Sequence, residues 1–92
     1  MAPPQKNYRD VIIKNDLGLH ARSAAQIAGI VQNARAAVWI KRGAEKADAS
    51  SIMDILTLAC EKGTTISIIV DDPSDIDILD AVAELVDSGF GE

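Results

Sequence analysis

Two residue periods take turns along this chain, and their alternation constrains the fold more than any other feature. In "YRDVIIK" Val11 and Ile13 alternate with Asp10, Ile12 and Lys14, the two-residue period of a strand with one better-buried face. From Ala21 to about Asn33, Ala24, Ile27, Ala28 and Val31 recur at spacings of three and four, which lines them along one side of a helix. Gly29 weakens that helix without stopping it. "AAVWIKR" returns to the strand period, with Val38 and Ile40 on one face and Ala37, Trp39 and Lys41 on the other. Gly43 ends it, and "AEKADA" reads as a short, charged strand suited to a sheet edge.

The second half repeats the alternation. "SSIMDILTLACEKG" predicts a helix with Ile52, Ile55, Leu56 and Ala59 on one face, a capping box between Ser51 and Asp54, and Gly63 as its stop. "TTISIIVD" is a β-branched strand with Ile66, Ile68 and Val70 on one side. Pro73 and Ser74 open a third helix, with Ser74 as cap and Asp77 three residues on; Leu79, Val82, Ala83 and Val86 form its stripe and Gly89 closes it. The order β-α-β-β-α-β-α, with short connections, predicts an α+β sandwich: one sheet covered on one face by helices. Residues 1–7, "MAPPQKN", are expected to be a loose lead-in, and 8–92 one domain.

Composition narrows the function. Fourteen acidic against nine basic residues give a net charge of −5, which repels a phosphate backbone, so no nucleic-acid partner is expected. The longest purely apolar run is five residues, Ala36 to Ile40, so no membrane insertion is expected. Cys60 is the only cysteine, which excludes an internal disulfide and leaves it as a small buried hydrophobe without ligand partners for zinc. The start lacks a basic region followed by an apolar one, and the cytoplasm is the expected compartment. The carboxylates of "VDDPSDID" lack the spacing and glycine of a calcium loop and read as turn formers and helix N-terminal charges; no metal or cofactor is expected. Trp39 belongs on the open face of the sheet.

The only histidine lies in "LGLHARSAA", at the junction between the first turn and the first helix. At such a terminus the first amides have no helical partners and the helix dipole favours an anion. A neutral imidazole is a nucleophile near neutral pH and can carry a phosphoryl group covalently. Arg22 could pair with phosphoryl oxygens through its planar fork, and Gly18 permits the tight turn that brings the ring to the amides. The same placement also suits a solvated surface histidine, and spacing alone does not separate the two.

"GLHARSAA" resembles the active-site stretch Gly-[Leu/Ile]-His-Ala-Arg-Pro-Ala of the histidine-containing phosphocarrier family, HPr, of the bacterial phosphoenolpyruvate-dependent phosphotransferase system. "SSIMDILTLA" is similar to the family's Lys-Ser-Ile-Met-Gly segment, and the ending "GFGE" is similar to family endings, so the likeness covers residues 8–92. It implies a four-stranded antiparallel sheet in the order 1-4-2-3, and a covalent phosphoryl carrier rather than a turnover catalyst. His20 is implied to accept the phosphoryl group on Nδ1 from phospho-Enzyme I and pass it to sugar-specific IIA components. Arg22 and the backbone amides of Ala21 and Arg22 are implied to contact it.

Two positions depart from the family pattern: Ser23 stands where it has proline, and Asp54 where it often has glycine. Ser51 matches a serine that some bacteria phosphorylate with an HPr kinase/phosphorylase to control activity and the binding of transcriptional regulators. A phosphate there would sit beside Asp54, a like-charge contact, and Ser51 is equally explained as a helix cap. Leu19, Met53 and Leu56 are candidates for an apolar docking patch around the histidine, with core packing the alternative for Leu56. A monomer is expected, and a regulatory paralogue of nitrogen-related or catabolite-control type is the alternative to sugar transport.

Overall fold

The computed structural model describes residues 7–92. The elements follow in the order β1 (Tyr8–Ile12), α1 (Ala21–Val31), β2 (Val38–Arg42), β3 (Glu45–Asp48), α2 (Ile52–Thr57), β4 (Thr65–Val70) and α3 (Ile76–Asp87), with short 3-10 turns at Pro73–Asp75 and Gly89–Gly91. The four strands form one antiparallel sheet in the order β1-β4-β2-β3, the expected α+β architecture.

Register explains why one face takes the helices. Val11 lies opposite Ile66, Ile68 opposite Ile40, Ile40 opposite Ala47, and Val38 opposite Val70, so the inward rows are apolar across the sheet. Onto this face α1 lays Ala24, Ile27 and Val31, and α3 lays Leu79, Val82 and Val86, all buried. Burying each large aliphatic side chain contributes about 1.5–3 kcal/mol relative to leaving it exposed. The other face carries Trp39, whose indole Nε1 donates to Asp71 Oδ1 at 3.2 Å and whose ring lies 4.2 Å from Lys46 Nζ. β3 is an edge strand, as its charge predicts.

Several local readings are corrected. Of the lead-in expected at residues 1–7, all but Asn7 lies outside the described residues, and Asn7 is not loose: its carbonyl accepts from Val70 N at 2.9 Å and its Nδ2 donates to Val70 O at 3.0 Å. The second helix stops at Thr57 rather than reaching Gly63. Ala59 adopts φ +51, a left-handed turn that carries the chain away from the helix, so Ile52 and Ala59 are exposed while Ile55, Leu58 and Cys60 enter the core. Gly63, at φ +90, belongs to the turn into β4, where its amide donates to Ile13 O at 2.8 Å.

Capping also differs. Ser51 Oγ accepts the Asp54 amide at 3.2 Å, but the Ser51 amide is taken by Asp48 O at 3.0 Å, so Asp54 does not close a reciprocal box. Asp72, not Ser74, caps the segment before α3, accepting from Ser74 N at 2.9 Å and Ser74 Oγ at 2.8 Å. Asp75 is fully buried, and its carboxylate accepts the amides of Arg35 at 2.9 Å and Ala36 at 3.1 Å. Of the acidic stretch, Asp72 and Asp75 thus spend their carboxylates on a turn and on backbone amides, while Asp71 accepts from Trp39. Burial pushes the Cys60 thiol pKa up.

Candidate functional site

His20 is delivered by a turn that only glycine can complete. Gly18 sits at φ +66, and a Cβ there would meet Cys60 O at 2.4 Å and Glu61 Cα at 2.9 Å. The turn is closed by Gly18 N donating to Asn15 O at 3.1 Å and Asn15 Nδ2 donating to Gly18 O at 2.8 Å. Leu19 N then donates to Cys60 O at 2.8 Å, which ties the segment to the exit from α2.

His20 itself is the N-cap of α1, extended at φ −126 and ψ −178. Its carbonyl accepts the first helical bond from Ala24 N at 2.8 Å, and its ring Nδ1 accepts from Arg22 N at 3.3 Å, the role a cap oxygen usually fills. Ser23 completes the box: it is fully buried, and its Oγ accepts the His20 amide at 2.9 Å. A proline at this position would leave that amide without its acceptor, so serine fixes the histidine backbone by a hydrogen bond.

The electrostatics favour an anion at Nδ1. The α1 N-terminus brings its partial positive charge there. Arg22 is exposed, and among the described residues its guanidinium makes no hydrogen bond or ion pair. The Ala21 amide likewise has no partner among them. On the far side of the ring, His20 Nε2 lies 2.6 Å from Glu92 Oε2. The Glu92 carboxyl is held below its ordinary pKa, first by the hydrogen bond with His20 and then by Asn15, whose Nδ2 donates to Oε1 at 3.2 Å. Lys14, Asn15, Asp16, Leu17 and Glu92 line an adjoining cleft of about 420 Å³.

The structure thus brings His20, Arg22 and the Ala21 and Arg22 amides together, and separates the residues expected to dock partners. Leu19 is 8% exposed and belongs to the core, so it is corrected from a surface residue to a packing one. Leu56 is partly buried against that core, while Met53 is 74% exposed. Leu17, which the sequence showed only as part of a turn, is the exposed leucine at 71%. Sequence reasoning also missed Asn15 and Glu92. Glu92 stands 72 positions from His20, and no local pattern links them.

An open-faced sandwich presenting a histidine at the N-terminus of its first helix defines the architecture of small phosphocarrier domains. The family model described as "PTS HPr component phosphorylation site" matches residues 8–88, and the chain belongs to the HPr family. It is 37% identical over 84 residues to a "Phosphocarrier protein HPr" of Cupriavidus necator, spanning 91% of this chain and 94% of the relative. It is 38% identical over 87 residues to a "Phosphocarrier protein NPr" of Shewanella violacea, spanning 95% and 96%. Among solved structures, HPr of Thermoanaerobacter tengcongensis superposes with a TM-score of 0.86 at 29% identity, covering 92% of this chain and 96% of that one. Membership gives the chain a phosphocarrier role.

Proposed function

We propose that His20 carries the phosphoryl group, accepting it on Nδ1 from phospho-Enzyme I of the phosphoenolpyruvate-dependent system and donating it to a sugar-specific IIA component. The observation that carries this reading is the placement of Nδ1 at the α1 N-terminus, 3.3 Å from the Arg22 amide and on the helix that bears the exposed Arg22 guanidinium. In the transfer the Nδ1 lone pair attacks phosphorus. The bond from phosphorus to the donor's leaving group breaks, and its electron pair departs with the donor. The amides of Ala21 and Arg22 and the Arg22 guanidinium then donate to the phosphoryl oxygens. Passing the group on reverses these steps.

The site needs no residue from a second copy, and the reading is of a carrier that acts as a monomer in the cytoplasm. Met53 and Leu17, the most exposed of the large apolar side chains among the described residues, are available for partner docking, with Leu56 partly buried against the core. Ser51 serves here as the α2 cap, accepting the Asp54 amide, and a kinase acting on it would add a phosphate at that helix end, three residues from the Asp54 carboxylate. The test is incubation with phosphoenolpyruvate and Enzyme I: acid-labile phosphate is expected on the wild type and none on His20→Ala, and equal labelling of the two refutes the assignment. Relatives named HPr and NPr match equally well, at 37% and 38%, which keeps a regulatory paralogue as the second reading. Phosphoryl transfer to a panel of IIA proteins separates the two, since a regulatory paralogue would pass the group to no sugar-specific one.

A further inference from the structure

Glu92 receives two donors at once. His20 Nε2 stands 2.6 Å from Oε2, and Asn15 Nδ2 donates to Oε1 at 3.2 Å. Arg22 N is a donor by chemistry, so Nδ1, which it meets, must hold a lone pair. A carboxylate only accepts, so Nε2 must hold the proton. The hydrogen bonds on the two sides of the ring therefore agree on one tautomer, the one that leaves Nδ1 free to attack.

The surrounding chain is built to hold this arrangement. Asn15 is 6% exposed, and its Nδ2 serves both Gly18 O and Glu92 while its buried Oδ1 has no partner among the described residues. A buried oxygen left without a donor calls for a reason, and aiming both amide hydrogens at the active-site turn and at Glu92 supplies one. Glu92 is brought back to the ring by three successive left-handed residues, Gly89 at φ +70, Phe90 at +61 and Gly91 at +74. Phe90 takes this conformation against its steric preference because its side chain, 3% exposed, is anchored in the core.

We propose that Asn15 and Glu92 form a positioning relay that selects the His20 tautomer with Nδ1 unprotonated and holds the Nε2 proton through phosphoryl transfer. The proposal rests on His20 being the phosphoryl acceptor. When Nδ1 bonds to phosphorus and the donor's leaving group departs with its electron pair, no proton moves: the ring keeps Nε2–H and becomes cationic, and Glu92 is the anion facing that charge. On donation the N–P electron pair returns to Nδ1 and the ring is neutral again.

Glutamine cannot replace Glu92 in this relay. Its amide has one acceptor, so either Asn15 or His20 Nε2–H would face an NH2 group. Glu92→Gln and Glu92→Ala are therefore both expected to slow phosphorylation of His20 by about tenfold or more, the scale of loss seen when the carboxylate that orients a metal-bound histidine is removed. Asn15→Ala should give a smaller loss of the same sign. Nitrogen-15 NMR of the unphosphorylated protein supplies a reading that a merely structural role would not move. The wild type should show a protected Nε2–H signal with Nδ1 unprotonated, and both Glu92 variants should lose that signal to exchange with water. Wild-type labelling rates in Glu92→Gln and Glu92→Ala, or an unchanged Nε2–H signal, would overturn the relay. A wild type that takes no phosphate while His20 shows the expected tautomer would sink the phosphocarrier assignment and leave the tautomer selection standing.

Discussion

Ser23→Ala tests whether the cap fixes the histidine as the hydrogen bonds indicate. The mutation removes the Oγ that accepts the His20 amide at 2.9 Å, together with its own donation to His20 O at 3.1 Å or Gly18 O at 3.4 Å. Ser23 is fully buried, so water does not replace the lost acceptor. Losing a helix cap costs about 0.5–2 kcal/mol, and a buried amide without a partner about 1–3, which places this change near 1–2 kcal/mol. For a domain of this size, that lowers the melting temperature by roughly 5–15 °C. Ser23→Pro loses the same bond and the Ser23 N–H that faces the His20 side chain, but proline in a first helical turn restricts the unfolded chain and recovers about 0.4–1 kcal/mol. Thermal melts followed by circular dichroism should rank wild type above Ser23→Pro and Ser23→Pro above Ser23→Ala. A Ser23→Ala melt within about 2 °C of wild type would refute the cap argument. So would a proline variant less stable than the alanine one.

Gly18→Ala should destabilise the fold by about 2 kcal/mol or more in chemical denaturation, because a left-handed alanine alone costs roughly 1–2 and its Cβ would press on the Cys60 carbonyl at 2.4 Å. A neutral result would mean the turn can relax. Asp75→Ala strips the acceptor from the amides of Arg35 and Ala36 and should cost about 2–5 kcal/mol. Arg35→Ala, which removes an exposed partner 3.7 Å from the same carboxylate, should cost under about 1, so similar losses would show that the ion pair rather than the amides matters. Asp48 and Asp72 are held below the ordinary carboxylate pKa by Ser50 and Ser74, and Asp16 by Lys62. Each is lower in the folded chain, so its contribution is complete above the ordinary carboxylate range and is lost as pH falls through the lowered values. Melting temperatures should therefore hold from neutrality and fall below about pH 4, with a shallower fall in Asp48→Asn and Asp72→Asn.

The strands and the long helices were legible because each writes one period in full. β4 buries every second residue from Ile66 to Val70, and α3 buries Leu79, Val82 and Val86 at helical spacing. α2 was overextended because "LTLAC" continues an apolar pattern past the residue where the backbone turns. Ala59 enters the left-handed region without being glycine, so composition carries no stop signal there. The third cap was misplaced by two residues because Asp72 and Ser74 are both good caps, and the 3-10 turn at Pro73–Asp75 lets the earlier one serve. His20 and Arg22 could be proposed from sequence because the chemistry ascribed to them depends on neighbours in sequence. Leu19 could not be assigned, because whether a residue beside a cap faces solvent or core is decided by Cys60, 41 positions on, accepting its amide.

The histidine is therefore less a surface residue that happens to lie at a helix start than the point where three separate closures meet. Its own helix holds its backbone through Ser23. The exit from α2 holds the preceding residue through Cys60, and leaves room for it only because Gly18 has no side chain. The segment after α3 holds the ring through Glu92, with Phe90 as its anchor in the core. Backbone, approach and ring are thus fixed by different parts of the chain, and each constraint removes a freedom the others leave. A cap bond alone would permit the ring to rotate, and a carboxylate alone would select a tautomer without aiming the free nitrogen. Together they direct the Nδ1 lone pair toward the helix end where an anion is favoured, which is the geometry that the proposed phosphoryl acceptance requires.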